Sequence, residues 1–278
     1  MKSLNHLVIG LIVLLSTSCA VEDYGETESS VSANDETSLN GTSVDGVRLA
    51  SVGVNGHDST GGALSADYAS TTSPPLHGSA YVGSTWTGTT ATGTSVDLRI
   101  VSGSALASPN SEVWEYSVEY LNGSGWHSLC GGGAAISSAG VWNVSATWGS
   151  SSTQFTIACR SASIPKCIEL GYKTYRGYTN QMASCVRMMM ADYCGTGATY
   201  TVAGQLINLY DNLNIQVDTQ AWLKEGAWGP AGAKCLRTGG KIRYVVLGTG
   251  TPPCAAALYT STCGNSFGIG QYVIDEVH

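Results

Sequence analysis

Nine cysteines are the feature that most restricts what this 278-residue chain can fold into. The first, Cys19, ends a segment in which Lys2 is followed by an apolar run from Leu7 to Leu15 and then by small residues. An apolar run this short cannot span a bilayer, so residues 1–18 are predicted to be a secretory signal peptide. In an exported chain, an even set of cysteines predicts a framework of disulfide bonds. Setting Cys19 aside leaves eight: Cys130, Cys159, Cys167, Cys185, Cys194, Cys235, Cys254 and Cys263.

The residues before Cys19 indicate what happens to that cysteine. The stretch Leu14–Cys19 resembles a bacterial lipobox, whose cysteine is acylated after cleavage, although Ser16 stands where leucine is usual. We therefore expect lipidation at Cys19 and a membrane as partner through that anchor. Ordinary cleavage without a lipid is the alternative, and it would leave an odd thiol.

Sequence spacing limits what the eight remaining cysteines do. No two lie about two to four residues apart, the spacing that brings two thiolates to one zinc ion, so we expect no metal site and no cofactor. If residues 180–193 are helical, Cys185 and Cys194 are roughly 13 Å apart along the axis. A disulfide needs Cα atoms within about 7 Å, so these two should not pair. Cys254 and Cys263 are close in sequence and are candidates for a local bridge.

Charge divides the chain and excludes one class of partner. A net charge of −7 with 13 lysines and arginines leaves no basic surface for nucleic acid. Residues 19–38 carry six acids and no base, which predicts a flexible acidic tether. Residues 39–63 follow a five-residue repeat of an aliphatic residue and, in most units, Asn-Gly or Asp-Gly, and are interpreted as a short spacer. Residues 64–278 are expected to form a single domain.

Alternating apolar and polar residues predict strands in this domain. The alternation is clearest in Val113–Tyr120 and Trp142–Trp148, and further strands are expected at residues 153–159, 205–210 and 242–247. We therefore expect a β-rich α+β fold, an antiparallel sheet with one main helix, stapled by disulfides.

The one clear helix begins near Thr179 or Asn180, either of which can cap it. Gly195 is expected to end it in the left-handed conformation. Its apolar positions form one stripe, which predicts core packing rather than a methionine-rich partner groove; the stripe comprises Met182, Cys185, Val186, Met189 and Tyr193.

The end of this helix carries a family resemblance. The tetrapeptide Ala191, Asp192, Tyr193, Cys194 is similar to the motif for which the ADYC-domain family is named, a family of bacterial, often myxobacterial, secreted proteins and lipoproteins. The similarity extends over residues 110–240. Its segments are 155–160, 166–167, 171–172, 185–188, 209–211, 225–230 and 232–235. The resemblance implies no established activity. Similar sequences often place a histidine shortly before the first helical cysteine, where this chain has residues 182–184, Met-Ala-Ser.

Asp192 is the residue of the motif with the most informative chemistry. A carboxylate in the last turn of a helix opposes the helix dipole, so it needs a compensating partner. Arg160 and Arg187 are the candidates. We expect Asp192 to be a structural ion-pair member that locks the helix end to the strand bearing Cys159.

Two other patterns resemble functional sites but fit them poorly. Gly264-Asn-Ser266-Phe-Gly268 matches the nucleophile elbow of hydrolases, followed by Asp275 and His278, yet too few residues remain to build the rest of that site. Four side chains could offer oxygen atoms to calcium, but the EF-hand register is wrong; they are Asp211, Asn212, Asn214 and Asp218.

These observations lead to an expectation of function with an alternative. The expectation is an envelope-anchored or secreted lipoprotein, facing the periplasm or on the outer membrane, that is a non-catalytic binding or structural module. A glycan or an envelope protein are the candidate ligands. The alternative is an envelope enzyme, such as a hydrolase, which would need a cleft that gathers Asp192, Asp211, Glu225 and an arginine.

Overall fold

A computed structural model describes residues 37–38, 52–55, 78–90, 95–123, 125–139, 141–142, 147–149 and 154–278. The strands are β1 (Thr37–Ser38), β2 (Val52–Asn55), β3 (Thr85–Thr90), β4 (Ser95–Ala105), β5 (Trp114–Asn122), β6 (Gly125–Ser128), β7 (Ala135–Ala139), β8 (Val141–Trp142), β9 (Trp148–Gly149), β10 (Gln154–Cys159), β11 (Leu206–Asp211), β12 (Leu223–Gly229), β13 (Gly232–Arg237), β14 (Tyr259–Thr260) and β15 (Val273–Val277). The helices are α1 (Ser163–Glu169), α2 (Thr179–Met190) and α3 (Arg243–Leu247). The fold is β-rich, as the sequence predicts.

The first sheet closes on itself. Its strands pair in the order β4-β3-β2-β10-β7-β5, and β5 also pairs with β4, so six antiparallel strands form a ring to which β6 is attached. Along β5, Tyr116, Val118 and Tyr120 are buried and alternate with half-buried residues. Burying each such side chain contributes about 1.5–3 kcal/mol, which explains why the alternating sequence forms a strand with one face in the core.

The second sheet has six strands in the order β1-β11-β15-β12-β13-β14. Strand β15, the last strand in the sequence, lies in the middle of this sheet and pairs antiparallel with both β11 and β12. The predicted strand at residues 205–210 is confirmed as β11, and that at 153–159 as β10. The alternation at Trp142–Trp148 falls on a short ladder between β8 and β9, with residues 143–146 outside the described part.

The helix predicted from the apolar stripe is α2, and its stripe is buried as expected. It packs on α1 and on strands β12, β13 and β15 of the second sheet. It is buried on nearly every side, because Ser184, Arg187 and Met188 between the stripe positions are also 0–1% exposed. Two expectations about this helix are wrong. The helix ends at Met190, so Asp192 lies beyond its last turn, and the left-handed residue after it is Ala191 rather than Gly195.

The predicted strand at Ile242–Leu247 is also wrong. Residues 243–247 form the helix α3, and Ile242 precedes it in an extended conformation. Its valines favoured a strand in the sequence, but Val245 and Val246 are 60% and 48% exposed, so they do not form the buried face that a strand would need.

Two strands lie upstream of the expected domain boundary at residue 64. Strand β2, in the predicted repeat spacer, pairs with β3 and β10 in the ring. Strand β1, at the end of the predicted tether, pairs with β11. Because ladder hydrogen bonds join these residues to the sheets, the folded unit includes them. The other residues of the tether and the spacer, like the signal peptide and Cys19, lie outside the described part.

Four disulfides join the eight expected cysteines: Cys130–Cys159, Cys167–Cys185, Cys194–Cys254 and Cys235–Cys263. Cys185 and Cys194 therefore do not pair with each other. The prediction of a local bridge between Cys254 and Cys263 is wrong, because Cys254 pairs with Cys194 and Cys263 pairs with Cys235. Within the described residues, no helix is both long and apolar enough to cross a bilayer. Bridges of this kind persist in oxidising compartments, which is consistent with a protein outside the cytoplasm.

Candidate functional site

Ala191 ends helix α2 and redirects the chain. Its backbone is left-handed, with φ 50° and ψ 40°, and it is fully buried. The amide of Asp192 donates to the carbonyl of Arg187 at 2.9 Å and that of Ala191 donates to Met188 at 2.9 Å, which is the Schellman pattern. This stop brings the following residues, 192–194, back towards the second sheet. We call residues 191–194 with their partners the junction.

Asp192 binds the helix end to the loop that follows it. Its Oδ2 accepts a hydrogen bond from Arg187 Nη1 and from the amide of Gly197, the latter at 2.7 Å, and Oδ1 accepts one from the amide of Thr196 at 3.0 Å. Asp192 and Arg187 are 0% and 1% exposed. The carboxylate is thus fully desolvated, and donors surround both of its oxygens.

Of the two arginines considered as its partner, Arg187 contacts Asp192 and Arg160 does not. Arg160 forms ion pairs with Glu169 and Glu115, each at 2.8 Å, and so ties β10 to α1 and β5. The expected link from Asp192 to the Cys159 strand is therefore wrong. Arg187 instead donates to the carbonyl of Pro230 at 3.1 Å, which connects α2 to the turn between β12 and β13.

Tyr193 joins the junction to the second sheet by its backbone and its ring. Its carbonyl accepts from the amide of Ala233 at 3.0 Å, and its hydroxyl donates to Glu225 Oε1 at 2.6 Å. The ring packs against Trp228 and, edge-on, against Tyr244, with centroids 5.2 and 5.3 Å away. Burial and the charge of Glu225 raise the pKa of Tyr193 far above its usual range, so its hydroxyl remains a donor.

Glu225, Arg243 and Asp275 form a cluster of charges in the core. Arg243 donates from Nε to Glu225 Oε2 at 2.6 Å and from Nη2 to Asp275 Oδ2 at 2.8 Å, and its amide donates to Glu225 Oε1 at 2.6 Å. Asp275 Oδ1 accepts from Trp228 Nε1 at 2.8 Å. All three charged side chains are 0% exposed.

Two carboxylates around one guanidinium leave a surplus negative charge. Burial, together with the charge of Glu225, raises the pKa of Asp275 well above its usual range. Asp275 therefore favours its protonated form, which makes the cluster neutral overall, because an uncompensated buried charge is costly. Asp275 could therefore donate a proton, but no side chain of the cluster reaches solvent.

Sequence reasoning singled out Glu225 but missed the partners that hold it, Arg243 and Asp275. A signal was present in the case of Asp275, because it and Glu276 interrupt the otherwise aliphatic segment Val273–Val277, and aspartate is depleted in strands. Arg243 gave no such signal, since its neighbours predicted a strand and the sequence does not say which side chains face the core.

Cys194, the last residue of the junction, forms a disulfide with Cys254. The amide of Cys254 also donates to Cys194 Sγ at 3.2 Å. Each residue of the tetrapeptide therefore has a different structural role: Ala191 stops the helix, Asp192 fixes the next loop, Tyr193 docks on the sheet and Cys194 holds the segment after α3.

Asp211, one of the oxygen-bearing residues weighed for calcium, faces its own loop. It accepts from the amides of Leu213, Ile215 and Gln216 at 2.6–3.2 Å, and from the hydroxyl of Tyr172 at 3.0 Å. Asp218 accepts from an asparagine in β11, and Asn212 Oδ1 from Gln181. Among the residues that the structure describes, no three acids, histidines or cysteines are arranged to hold a metal ion.

The residues of the nucleophile-elbow pattern are not brought together. Ser266 lies in an exposed turn after Cys263. Asp275 contacts Arg243 in the core, and the ring of His278 packs against Trp222, with centroids 4.8 Å apart. Ser266, Asp275 and His278 therefore do not form the catalytic triad that the sequence pattern would require.

The fold and the junction together define a class of protein: a disulfide-stapled, β-rich α+β domain organised around a buried charged junction at one helix end. The model of the ADYC domain family matches residues 78–240, more than half of the chain, and the chain belongs to that family. No curated protein and no solved structure matches it. The matched region ends before Arg243, Cys254 and Asp275, which complete the junction in this chain.

Proposed function

We propose that this protein is an exported lipoprotein of the cell envelope whose ADYC domain is a non-catalytic binding or structural module. The observation that carries the proposal is the burial of the three acids that an enzyme cleft would have to gather. Asp192, Asp211 and Glu225 are 0–2% exposed, and each accepts hydrogen bonds from a different set of protein donors. Carboxylates held in this way stabilise a fold and have no access to a substrate.

Cysteine arithmetic supports the lipid anchor. The chain has nine cysteines, and the four bridges contain every one except Cys19. The thiol of Cys19 is therefore free for acylation without leaving another cysteine unpaired. One acyl chain gives only reversible membrane binding, so the mature residue should carry more than one chain if the anchor is stable.

The anchor is tested by expressing the full chain in a bacterial host fed a labelled fatty acid. We expect the label on the protein, which should partition into the detergent phase, and both should be lost in Cys19→Ser. Cys130→Ser serves as the matched control, because it removes a bridge cysteine and should keep the label. An unlabelled wild-type protein would overturn the anchor.

The alternative, an envelope enzyme, draws on one observation: Arg243 holds Asp275 beside Glu225, and burial raises the pKa of Asp275, so that Asp275 keeps a proton it could transfer. The variants Glu225→Gln and Asp275→Asn distinguish the two functions. If the protein is a non-catalytic module, both variants should have a lower free energy of unfolding than wild type. On a panel of ester, amide and glycoside substrates, wild type should then show no more hydrolytic activity than the variants. A wild-type activity that either variant abolishes without loss of stability would establish the enzyme instead.

A glycan is the ligand class for which the surface offers a candidate contact. Trp126 of β6 is partly exposed, the guanidinium of Arg99 lies 4.6 Å from its ring centroid, and Glu119 pairs with Arg99 at 2.5 Å. Arg99 covers one face of this ring, so a sugar would stack on the other face of the tryptophan, while the charged groups beside it bind the sugar hydroxyls. In a glycan-array measurement, Trp126→Ala should lose any binding that wild type shows, with an unchanged melting temperature. Capture of an envelope protein by cross-linking, with an empty array, would favour the protein ligand.

A further inference from the structure

We infer that the Cys194–Cys254 bridge is a thiol–disulfide exchange site, open to a dithiol reductant, and that it latches the loop of residues 248–257. The other three bridges are structural. This inference does not depend on the proposed function, because it follows from the environment of the four disulfides.

Exposure separates this bridge from the others. Cys167 and Cys185 are both fully buried between α1 and α2, and Cys235 and Cys263 are 7% and 2% exposed. In the bridge between Cys130 and Cys159, one residue is half-buried and the other is 4% exposed. Only for Cys194–Cys254 are both residues partly exposed. Since an attacking thiolate must approach a sulfur atom directly, access decides which bridge reacts first.

Most residues near Cys254 are exposed, although Pro252 and Ala255 are buried. Residues 250, 251, 253, 256 and 257 are exposed, and none of them lies in a strand. Cys194 is followed by the exposed Thr196. The side of this loop is therefore the approach that we infer for the reductant.

The local hydrogen bonding indicates which sulfur is attacked. The amide of Cys254 donates to Cys194 Sγ at 3.2 Å, so it can stabilise negative charge on that atom. A thiolate with a stabilised charge is the better leaving group in exchange. The attacking thiolate should therefore form its bond with Cys254 Sγ while the bond between Cys254 and Cys194 breaks.

The complete step is a two-electron exchange with a dithiol of the thioredoxin-like class. The first thiolate forms a mixed disulfide with Cys254 and releases Cys194 as a thiolate, which takes a proton from solvent. The second thiol of the reductant, once deprotonated, attacks the reductant sulfur of the mixed disulfide. Cys254 leaves as a thiolate and takes a proton from solvent. The reductant leaves as an internal disulfide, and the protein holds two thiols.

Opening the bridge releases a defined segment. On its amino-terminal side, Arg243 is anchored in the core by Glu225 and Asp275. On its carboxyl-terminal side, the carbonyl of Leu258 accepts from Leu236 at 2.8 Å and β14 pairs with β13. Between these anchors the loop 248–257 is held by the bridge, by the burial of Pro252 and Ala255 and by a hydrogen bond from Thr249 Oγ1 to the carbonyl of Tyr200. Reduction should therefore loosen the loop and leave the two sheets intact.

The test is graded reduction of the full-length native protein with dithiothreitol, followed by rapid alkylation and peptide mass spectrometry. We expect Cys194 and Cys254 to be alkylated at least about tenfold faster than the other six cysteines, because access limits the exchange rate. Limiting glutathione should be trapped on Cys254 rather than on Cys194. Simultaneous alkylation of all eight, or earlier alkylation of Cys130, would overturn the exchange site.

The proposal that the bridge holds the loop 248–257 is tested separately, by hydrogen exchange of the double variant Cys194→Ser/Cys254→Ser. Without any reductant, its hydrogen exchange at residues 248–257 should match that of the partly reduced wild type, while exchange in β5 and β12 stays protected. Exchange unchanged at 248–257 in both samples would overturn the latch. If the double variant does not fold, the partly reduced wild type alone decides the point, because its other bridges remain closed.

Discussion

The substitution Asp192→Asn probes the junction through the buried ion pair that Asp192 forms with Arg187. It keeps the size of the side chain and removes the charge that compensates Arg187, which is 1% exposed. Both oxygens of Asp192 face donors, so whichever way the new amide turns, its NH2 group meets an N–H group. Breaking a buried pair by removing one partner costs about 3–5 kcal/mol. For a folded unit of about 150–250 residues, each kcal/mol lowers the melting temperature by about 2–4 °C, so a fall of roughly 6–20 °C is expected.

The assay is urea unfolding at neutral pH with the disulfides intact, followed by near-ultraviolet circular dichroism. Glu119→Gln is the matched control, because it also breaks an acid–arginine pair but at the surface, where Arg99 is 44% exposed. Such pairs contribute about 0–1 kcal/mol. If Asp192→Asn loses no more stability than Glu119→Gln, the junction does not depend on this ion pair and the reasoning is refuted.

Three further variants test the same region. Tyr193→Phe removes a buried donor and should lower the free energy of unfolding by about 1–3 kcal/mol in the same urea assay, with no change in disulfide pairing; a loss below the error of the assay would contradict this. The raised pKa of Asp275 means that the folded state keeps a proton that the unfolded chain releases above about pH 4. Wild-type stability should therefore fall as pH rises from about pH 4 through the folded-state pKa, by up to about 1.4 kcal/mol per pH unit, and Asp275→Asn should reduce this slope. Gly195→Ala should prevent export of a folded protein, since the φ of Gly195 is 69° and the added methyl would overlap the carbonyl of Ala231. Gly177→Ala, at φ 83° with open space around it, should fold with a loss of about 1–2 kcal/mol. Equal yields of the two variants would contradict the steric argument.

The parts of the fold that local patterns determine were predictable. The alternation at Val113–Tyr120 identified β5, and the apolar stripe from Met182 identified α2, because one periodicity in each case matches one buried face. The pattern could not show where α2 ends. Glycine is the usual left-handed residue after a helix, which pointed to Gly195, but the helix ends before Ala191. There the tertiary contacts of the following residues outweigh the strain of an alanine with positive φ.

Long-range partners were out of reach of the sequence. Cys254 and Cys263 are near each other along the chain, yet each bridges to an element that the sheet topology brings close, Cys194 and Cys235. The insertion of β15 between β11 and β12 likewise places Asp275 beside Arg243, and no local pattern encodes that placement. The candidate site was therefore predictable in its residues around Asp192 and unpredictable in the cluster that supports Tyr193.

The cysteine map of the mature protein tests the central claim that the tetrapeptide is a structural junction of an anchored, stapled module. Trypsin leaves Cys254 and Cys263 on one peptide, residues 244–278, because no lysine or arginine follows Arg243. Additional chymotrypsin cleavage after Tyr259 separates them. Non-reducing mass spectrometry should then find Cys254 linked to the peptide of Cys194, Cys263 linked to that of Cys235, and an acylated Cys19 at the amino terminus. A link between Cys254 and Cys263, or a link from Cys194 to any cysteine other than Cys254, would contradict the account.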